Sequence, residues 1–486
     1  MPLRDHDLHG PFGSGLADRL ASRVAGTALI PGNAVRLLRD AGENYPAWLD
    51  AIAAAERSID FENYIVDDDE VGRRFADALI AKAAKGVAVR VLYDWLGCLG
   101  TPARFWNRLR AAGIAVRCFN PPRLDSPLGW LGRNHRKTLC VDGRVGYVSG
   151  LCVARRWERD PRFGTPWRDT GIELRGPAAA ELAAAFARIW REAGPPEPLQ
   201  AAAEAEAPPA GEVALRIVET RPTTMALYRL DQLVAATARR TLWLTDAYFV
   251  GTTAYVQALC DAARDGVDVR LLVPGASDLP VVGALSRAGY RPLIEAGIRV
   301  YEWNGPMLHA KSAVADGRWA RIGSSNLNFS SWIGNWELDV AVEDAGFAAA
   351  MEAMYLEDLG NATEIVLGIE RIRRRRGAPR PPRRRGGARL AAGAVGIGSA
   401  VGAAVTGHRL LAAAETQVLA LAAGAILLAV VAALLMPWLV VGPLVAVGGW
   451  IAGSLLLRAW RLHRVARRSR ARLREAAVPA DPQRLP

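Results

Sequence analysis

The sequence repeats itself, and the repeat carries its chemistry. Residues 134–142 read Asn-His-Arg-Lys-Thr-Leu-Cys-Val-Asp, which places His135, Lys137 and Asp142 in a His-x-Lys-x-x-x-x-Asp frame. The frame returns as His309, Lys311 and Asp316, and it holds two of only six histidines. Its surroundings return in the same order. Arg57–Val66 matches Arg240–Val250, with Tyr64 against Tyr248. Gly86-Val-Ala-Val-Arg-Val-Leu matches Gly266-Val-Asp-Val-Arg-Leu-Leu, and Gly113-Ile114 matches Gly297-Ile298. An internal duplication of this length implies two halves of one fold. If they pack about a pseudo-twofold axis, both His-x-Lys segments meet at one cleft.

Each half alternates strand and helix. In the first, Ala34–Leu38, Ser58–Val66, Val87–Tyr93 and Ile114–Phe119 read as strands, and Tyr45–Ala55, Glu70–Lys85 and Ala178–Glu192 as helices. The expected class is α/β, two duplicated sandwich halves with mixed sheets. The expected domains are an arm (1–32), a first repeat (33–193), a Pro/Ala/Glu-rich linker (194–211) and a second repeat (212–365).

Residues i and i+2 of a strand share a face, so His135 and Lys137 point together, as do His309 and Lys311. An ammonium beside an imidazole suits attack on a phosphodiester, because the cation offsets the anionic charge that repels nucleophiles. By parity Asp142 and Asp316 fall on the opposite face and are read as supporting the turn. Small-residue turns follow, Ser149-Gly150-Leu151-Cys152 and Gly323-Ser324-Ser325-Asn326. Asn326 and the hydroxyl of Ser324 are expected to donate to phosphoryl oxygens. No carboxylate cluster suggests a metal, and no cofactor is expected. Five cysteines without a CxxC indicate neither a disulfide framework nor a zinc site.

Together with Phe61-Glu62-Asn63-Tyr64-Ile65 and Trp167-Arg168-Asp169-Thr170, these motifs resemble the phospholipase D superfamily, nearest its bacterial cardiolipin synthase branch. The resemblance covers roughly residues 33–360. It implies a phosphatidyl transfer through a phosphohistidine, with phosphatidylglycerol as substrate. It makes His135 the nucleophile and His309 the acid/base. It also implies that an acidic residue orients a catalytic histidine, a role that falls to Glu337, with Asp169 doing this for the first half. Cys152 stands where the family has Asn, so the two sides of the pocket should differ.

Charge separates this reading from a nuclease. Residues 371–486 hold 20 Arg against 3 acids, so the total of +12 leaves −5 on residues 1–370. Nucleic acid is therefore not the expected partner; a membrane surface is. Arg371–Arg389 carries ten Arg among Pro and Gly, an Arg-rich linker (366–389). Thr416–Leu457 has no charged residue, enough for two passes at ~20 residues each. A hydrophobic membrane region is expected at 390–457, with a helical hairpin within 417–457 or, alternatively, a first span at Leu390–Thr406 and a second in the later run, and a basic tail follows at 458–486. Arg on both flanks places both ends, and the catalytic domain, on the cytoplasmic side of a bacterial inner membrane. Met1–Ser14 is too polar for a signal peptide, and Trp130 among leucines is a candidate for the lipid interface.

Overall fold

The computed structural model describes residues 15–122, 131–194 and 207–367, with isolated positions between 424 and 456. The chain divides into two compact units, residues 1–120 with 132–416 and residues 121–131 with 417–486. In the second unit the described positions from Gly424 to Leu456 are helical. Trp130, most of the 194–211 linker, most of the expected Arg-rich and membrane segments, and the expected tail lie outside the described residues. Among the described residues no helix is long and apolar enough to cross a membrane.

The first unit opens with α1 (Gly15–Ala25), β1 (Ile30–Arg39), α2 (Asp40–Ala54), β2 (Ser58–Asn63), α3 (Glu70–Ala83), β3 (Ala88–Asp94), α4 (Ala103–Ala111) and β4 (Ala115–Phe119). Then come β5 (Thr138–Val141), β6 (Val145–Ser149), α5 (Arg155–Glu158), β7 (Thr170–Arg175) and α6 (Pro177–Glu192). The second stretch runs β8 (Val213–Thr220), α7 (Ala226–Thr237), β9 (Thr241–Thr245), α8 (Thr253–Arg264), β10 (Asp268–Pro274), α9 (Pro280–Ala288), α10 (Tyr290–Glu295) and β11 (Arg299–Trp303). It closes with β12 (Ser312–Ala315), β13 (Trp319–Gly323), a π turn (Ser330–Gly334), β14 (Glu337–Glu343), α11 (Ala345–Leu359) and β15 (Ala362–Ile365).

The fold is α/β with a mixed sheet. Strand order is β15-β11-β10-β9-β12-β13-β14-β8-β1-β7-β6-β5-β2-β3-β4. Outward from the β8–β1 junction, each side passes through antiparallel strands to a parallel trio, β2-β3-β4 or β9-β10-β11. The repeated glycines explain how these trios are fed. Gly86, Gly113, Gly266 and Gly297 all have positive φ (86°, 82°, 92° and 94°). Each ends a helix in the left-handed conformation that suits glycine and turns the chain into the next strand.

The two stretches are not separate sandwiches. Strand β1 hydrogen-bonds to β8 (Ile30 opposite Leu215, Asn33 opposite Val213), joining both sides into one sheet. β1 starts at Ile30, before the expected boundary at 33. The N-terminal arm is part of the far side's packing: Ala21 and Ala25 of α1 are buried in one core with Leu227 and Leu230 of α7. A separate core lies between the two sides. It combines Val148, Ile172 and Leu174 with Ile217, Ile322 and Val340. Burial of such side chains contributes ~2 kcal/mol each, so this layer holds the two stretches in register.

Candidate active site

Asp142 and Asp316 fix the far ends of the motif strands. Both have positive φ (57° and 54°) and are followed by positive-φ glycines, which forms the tight β5–β6 and β12–β13 hairpins. The Asp142 carboxylate accepts the backbone N–H groups of Glu56, Arg57 and Ser58 at 2.9, 2.7 and 2.7 Å. Asp316 does the same for Arg239, Arg240 and Thr241. Each Asp therefore sets where β2 or β9 begins, a whole strand away from the imidazoles.

The histidines sit at the other end. His135 and Lys137, and His309 and Lys311, occupy extended segments just before β5 and β12. Each segment is pinned to the opposite side of the molecule by backbone. His135 N–H donates to Trp336 O at 2.9 Å, and Trp336 N–H to Arg133 O at 2.8 Å. His309 N–H donates to Arg168 O at 2.7 Å, and Arg168 N–H to Met307 O at 3.0 Å. The residue after each brace is acidic. Glu337 reaches His135 Nδ1 at 3.0 Å, and Asp169 reaches His309 Nδ1 at 2.8 Å. The carboxylates are thus exchanged between the two stretches. The expectation that Asp169 serves the first half's own histidine is corrected: it serves His309, because β7 delivers it across the cleft.

Both carboxylates are fully buried and held below the usual range; burial opposes ionisation, but the adjacent imidazole and a lysine outweigh it. Trp157 Nε1 also donates to Asp169 at 3.0 Å, and Ser324 Oγ to Glu337 at 2.6 Å. Ser324 is therefore a correction as well. Its hydroxyl is committed to Glu337, and Leu338 N–H donates to it at 3.0 Å, so it braces a carboxylate instead of facing a ligand. Gly150 makes room for this arrangement, since a Cβ there would lie 2.1 Å from Asp169 Oδ1.

With Nδ1 engaged, Nε2 is the free nitrogen of each ring. Burial pushes both histidines below their ordinary value, His309 to about 3, with the lysines adding to the effect. Lys311 acts on His135 and Lys137 on His309, so the four groups share one electrostatic site. Burial also lowers both lysines, Lys311 to about 8. Each Nζ donates to its own histidine's carbonyl and stands over a tyrosine ring, Lys137 over Tyr64 at 5.2 Å and Lys311 over Tyr248 at 5.7 Å. Asn326 is 5% exposed, and its carbonyl Oδ1 has no partner. Cys152, at the matching first-side position, is buried, and its thiol is pushed up by burial while Lys137 opposes that. Among the described residues no cluster of three or more His, Cys, Asp or Glu could hold a metal. What the site offers is two neutral imidazoles and two buried ammonium groups, with the Asn326 side chain nearby.

A family profile described as "Cardiolipin synthase, PLD-like domain" matches residues 48–190 and 232–359, which include both histidine segments. Cardiolipin synthase A of Pseudomonas aeruginosa is 35% identical over 362 residues, 73% of this chain and 72% of that protein. The chain belongs to this family, within the phospholipase D superfamily. It is an enzyme of the transphosphatidylase type. Another of its cardiolipin synthase relatives, from Alkalihalophilus pseudofirmus, is 31% identical over 353 residues, covering 71% of this chain and 70% of the other. Among solved structures, a phosphatidylserine synthase of Haemophilus influenzae superposes with TM-score 0.56 at 14% identity, over 72% of this chain and 92% of that one, and shows the shared fold.

Sequence reasoning passed over three contributors. Tyr64 and Tyr248 matched between repeats and pack edge-on against His135 (4.8 Å) and His309 (5.9 Å); their equal placement was the available signal. Arg168 clamps Asp358 through two 2.8 Å bonds and Asp40 through one of 3.1 Å while its backbone holds His309. Only the fold brings those carboxylates together.

Proposed function

We propose that the protein is a membrane-associated phosphatidyltransferase that makes cardiolipin from phosphatidylglycerol. The observation that carries the reading is the exchanged pairing of His135 with Glu337 and His309 with Asp169 around Lys137 and Lys311. Family membership and the cardiolipin synthases it aligns with support the substrate class. In this reading the two stretches are a duplication about a pseudo-twofold axis. The apolar run within 390–457 anchors the chain as a hairpin, with the catalytic unit facing the cytoplasm of a bacterial inner membrane.

The lysines and the Asn326 amide receive the phosphodiester oxygens. The bound anion raises His309, which takes up a proton at Nε2. His135 Nε2 attacks phosphorus; the new N–P bond forms as the P–O bond to glycerol breaks, and His309 gives its proton to the departing oxygen. Glu337 offsets the positive charge left on the phosphorylated ring. The hydroxyl of a second phosphatidylglycerol then loses its proton to His309 and attacks phosphorus. The N–P bond breaks, and cardiolipin leaves with His135 restored.

Purified protein in phosphatidylglycerol vesicles should yield cardiolipin and glycerol in equal amounts. Phosphatidic acid as the only lipid product would replace this reading with hydrolysis by water. Nicking of plasmid DNA would favour a nuclease, which the charge of −5 on residues 1–370 disfavours.

A further inference from the structure

Of the large apolar side chains exposed in the first unit, four lie within a few residues of groups that contact the two-histidine site. They are Leu99 (51% exposed), Phe163 (47%), Val281 (45%) and Phe329 (52%). Each is tethered to a site group by its own neighbours. Leu99 follows Cys98, whose thiol meets Tyr64 O at 3.5 Å, and Tyr64 packs against His135. Phe163 belongs to the loop held by Asp160, which accepts Trp167 Nε1 at 2.6 Å; the Trp167 ring lies 5.8 Å from that of His309. Val281 opens α9 just after Asp278, which accepts the Tyr248 hydroxyl at 2.7 Å, and Arg162 lies within electrostatic reach of Asp278. Phe329 follows Asn328, whose amide donates to Tyr248 O at 3.0 Å.

These four stand on four separate segments, one of them the start of α9, yet each segment reaches a group around the two histidines. Soluble surfaces seldom gather exposed apolar groups this way unless something covers them. The segment leading to Phe163 is cationic: Arg155–Arg162 carries four Arg against two acids, and Arg155, Arg159 and Arg162 are exposed. Apolar tips among arginines match the boundary of an anionic bilayer, where the tips enter the acyl region and the guanidinium groups meet phosphates.

We propose that Leu99, Phe163, Val281 and Phe329 form a docking rim that seats the catalytic opening on an anionic phospholipid surface. A phosphodiester then passes to the buried lysines without its acyl chains leaving the bilayer. The inference rests on the lipid-transfer reading for its purpose, but its test does not need turnover.

Phe163→Cys and Phe329→Cys are labelled with bimane in the full chain, with Leu20→Cys as control. Four native cysteines are buried and Cys118 partly so, and the unsubstituted chain gives the background. Vesicles of phosphatidylglycerol and phosphatidylcholine carry a shallow nitroxide lipid. At least twofold quenching at 163 and 329, absent at 20 and reduced in phosphatidylcholine alone, is expected. Equal quenching at all three positions, or none, overturns the rim. So does a bimane shift that follows protein concentration and ignores lipid, which would assign the surface to a second copy. A Phe163→Ser/Phe329→Ser variant should lower turnover on vesicles at least tenfold relative to turnover on detergent-dispersed phosphatidylglycerol. If the wild-type chain makes no cardiolipin but the labels are quenched, the transfer reading fails and docking stands.

Discussion

Replacing Glu337 with Gln tests the exchanged pairing most sharply. The carboxylate lies 3.0 Å from His135 Nδ1 in a fully buried site. Its charge matters little against a neutral imidazole and most once that ring carries phosphorus and a positive charge. Two unit charges about 4 Å apart at an effective dielectric of about 20 interact by ~4 kcal/mol. The Gln amide still accepts from Nδ1–H and restores ~1 kcal/mol. The remaining ~3 kcal/mol corresponds to about a hundredfold loss in rate. Steady-state cardiolipin synthesis, followed by lipid mass spectrometry, reads the loss, and thermal unfolding checks that the fold survives. A donor with a p-nitrophenyl head group separates the two carboxylates, because its leaving group departs as an anion without a proton. Glu337→Gln should slow the release of p-nitrophenolate itself. Asp169→Asn should leave the first release fast and slow the transfer that follows. A variant within threefold of wild type, or the two behaviours interchanged, would refute the assignment of Glu337 to His135.

Arg168→Met leaves Asp358 and Asp40 without their cation; Asp40 is a third exposed, which discounts the usual 3–5 kcal/mol, so a destabilisation of about 3 kcal/mol is expected in denaturant unfolding. Gly150→Ala sets a methyl group 2.1 Å from Asp169 Oδ1 and should lower kcat tenfold or more with KM little changed. Lys311, lowered to about 8 by burial, must be charged to receive phosphate, so kcat/KM should fall as pH rises through about 8. Stability should move the other way. Between about 8 and the ordinary 10.5 the unfolded chain holds a proton on Lys311 that the folded one has lost, so this group favours folding more as pH rises across that window. A falling limb displaced to pH 10 would contradict the burial argument.

The parts of this architecture set by local pattern are legible in the sequence. The His-x-Lys spacing, the Asp-Gly hairpins and the helix-ending glycines are each fixed within a few residues, so the duplicated frame marks them directly. Glu337 and Asp169 were visible as acids, but not their direction, because β14 and β7 carry them to the opposite stretch. Ser324 read as a phosphate donor because a turn hydroxyl next to Asn326 suggests one. Its buried neighbour Glu337 decides otherwise, and that pairing depends on how β13 and β14 register. Residues 1–32 are legible as an arm, but the partner against which α1 buries Ala21 and Ala25 is not: α7 lies some 200 residues away, a contact no short-range periodicity encodes.

The central claim is that one site holds one phosphorus between two imidazoles, with His135 carrying it and His309 moving the proton. It is tested most directly by His309→Ala with the p-nitrophenyl donor. One p-nitrophenolate per chain should be released in a burst, with the phosphatidyl group found by peptide mass spectrometry on His135 as an acid-labile adduct. Two per chain, or an adduct on another residue, or wild-type turnover with no adduct at all, would contradict it.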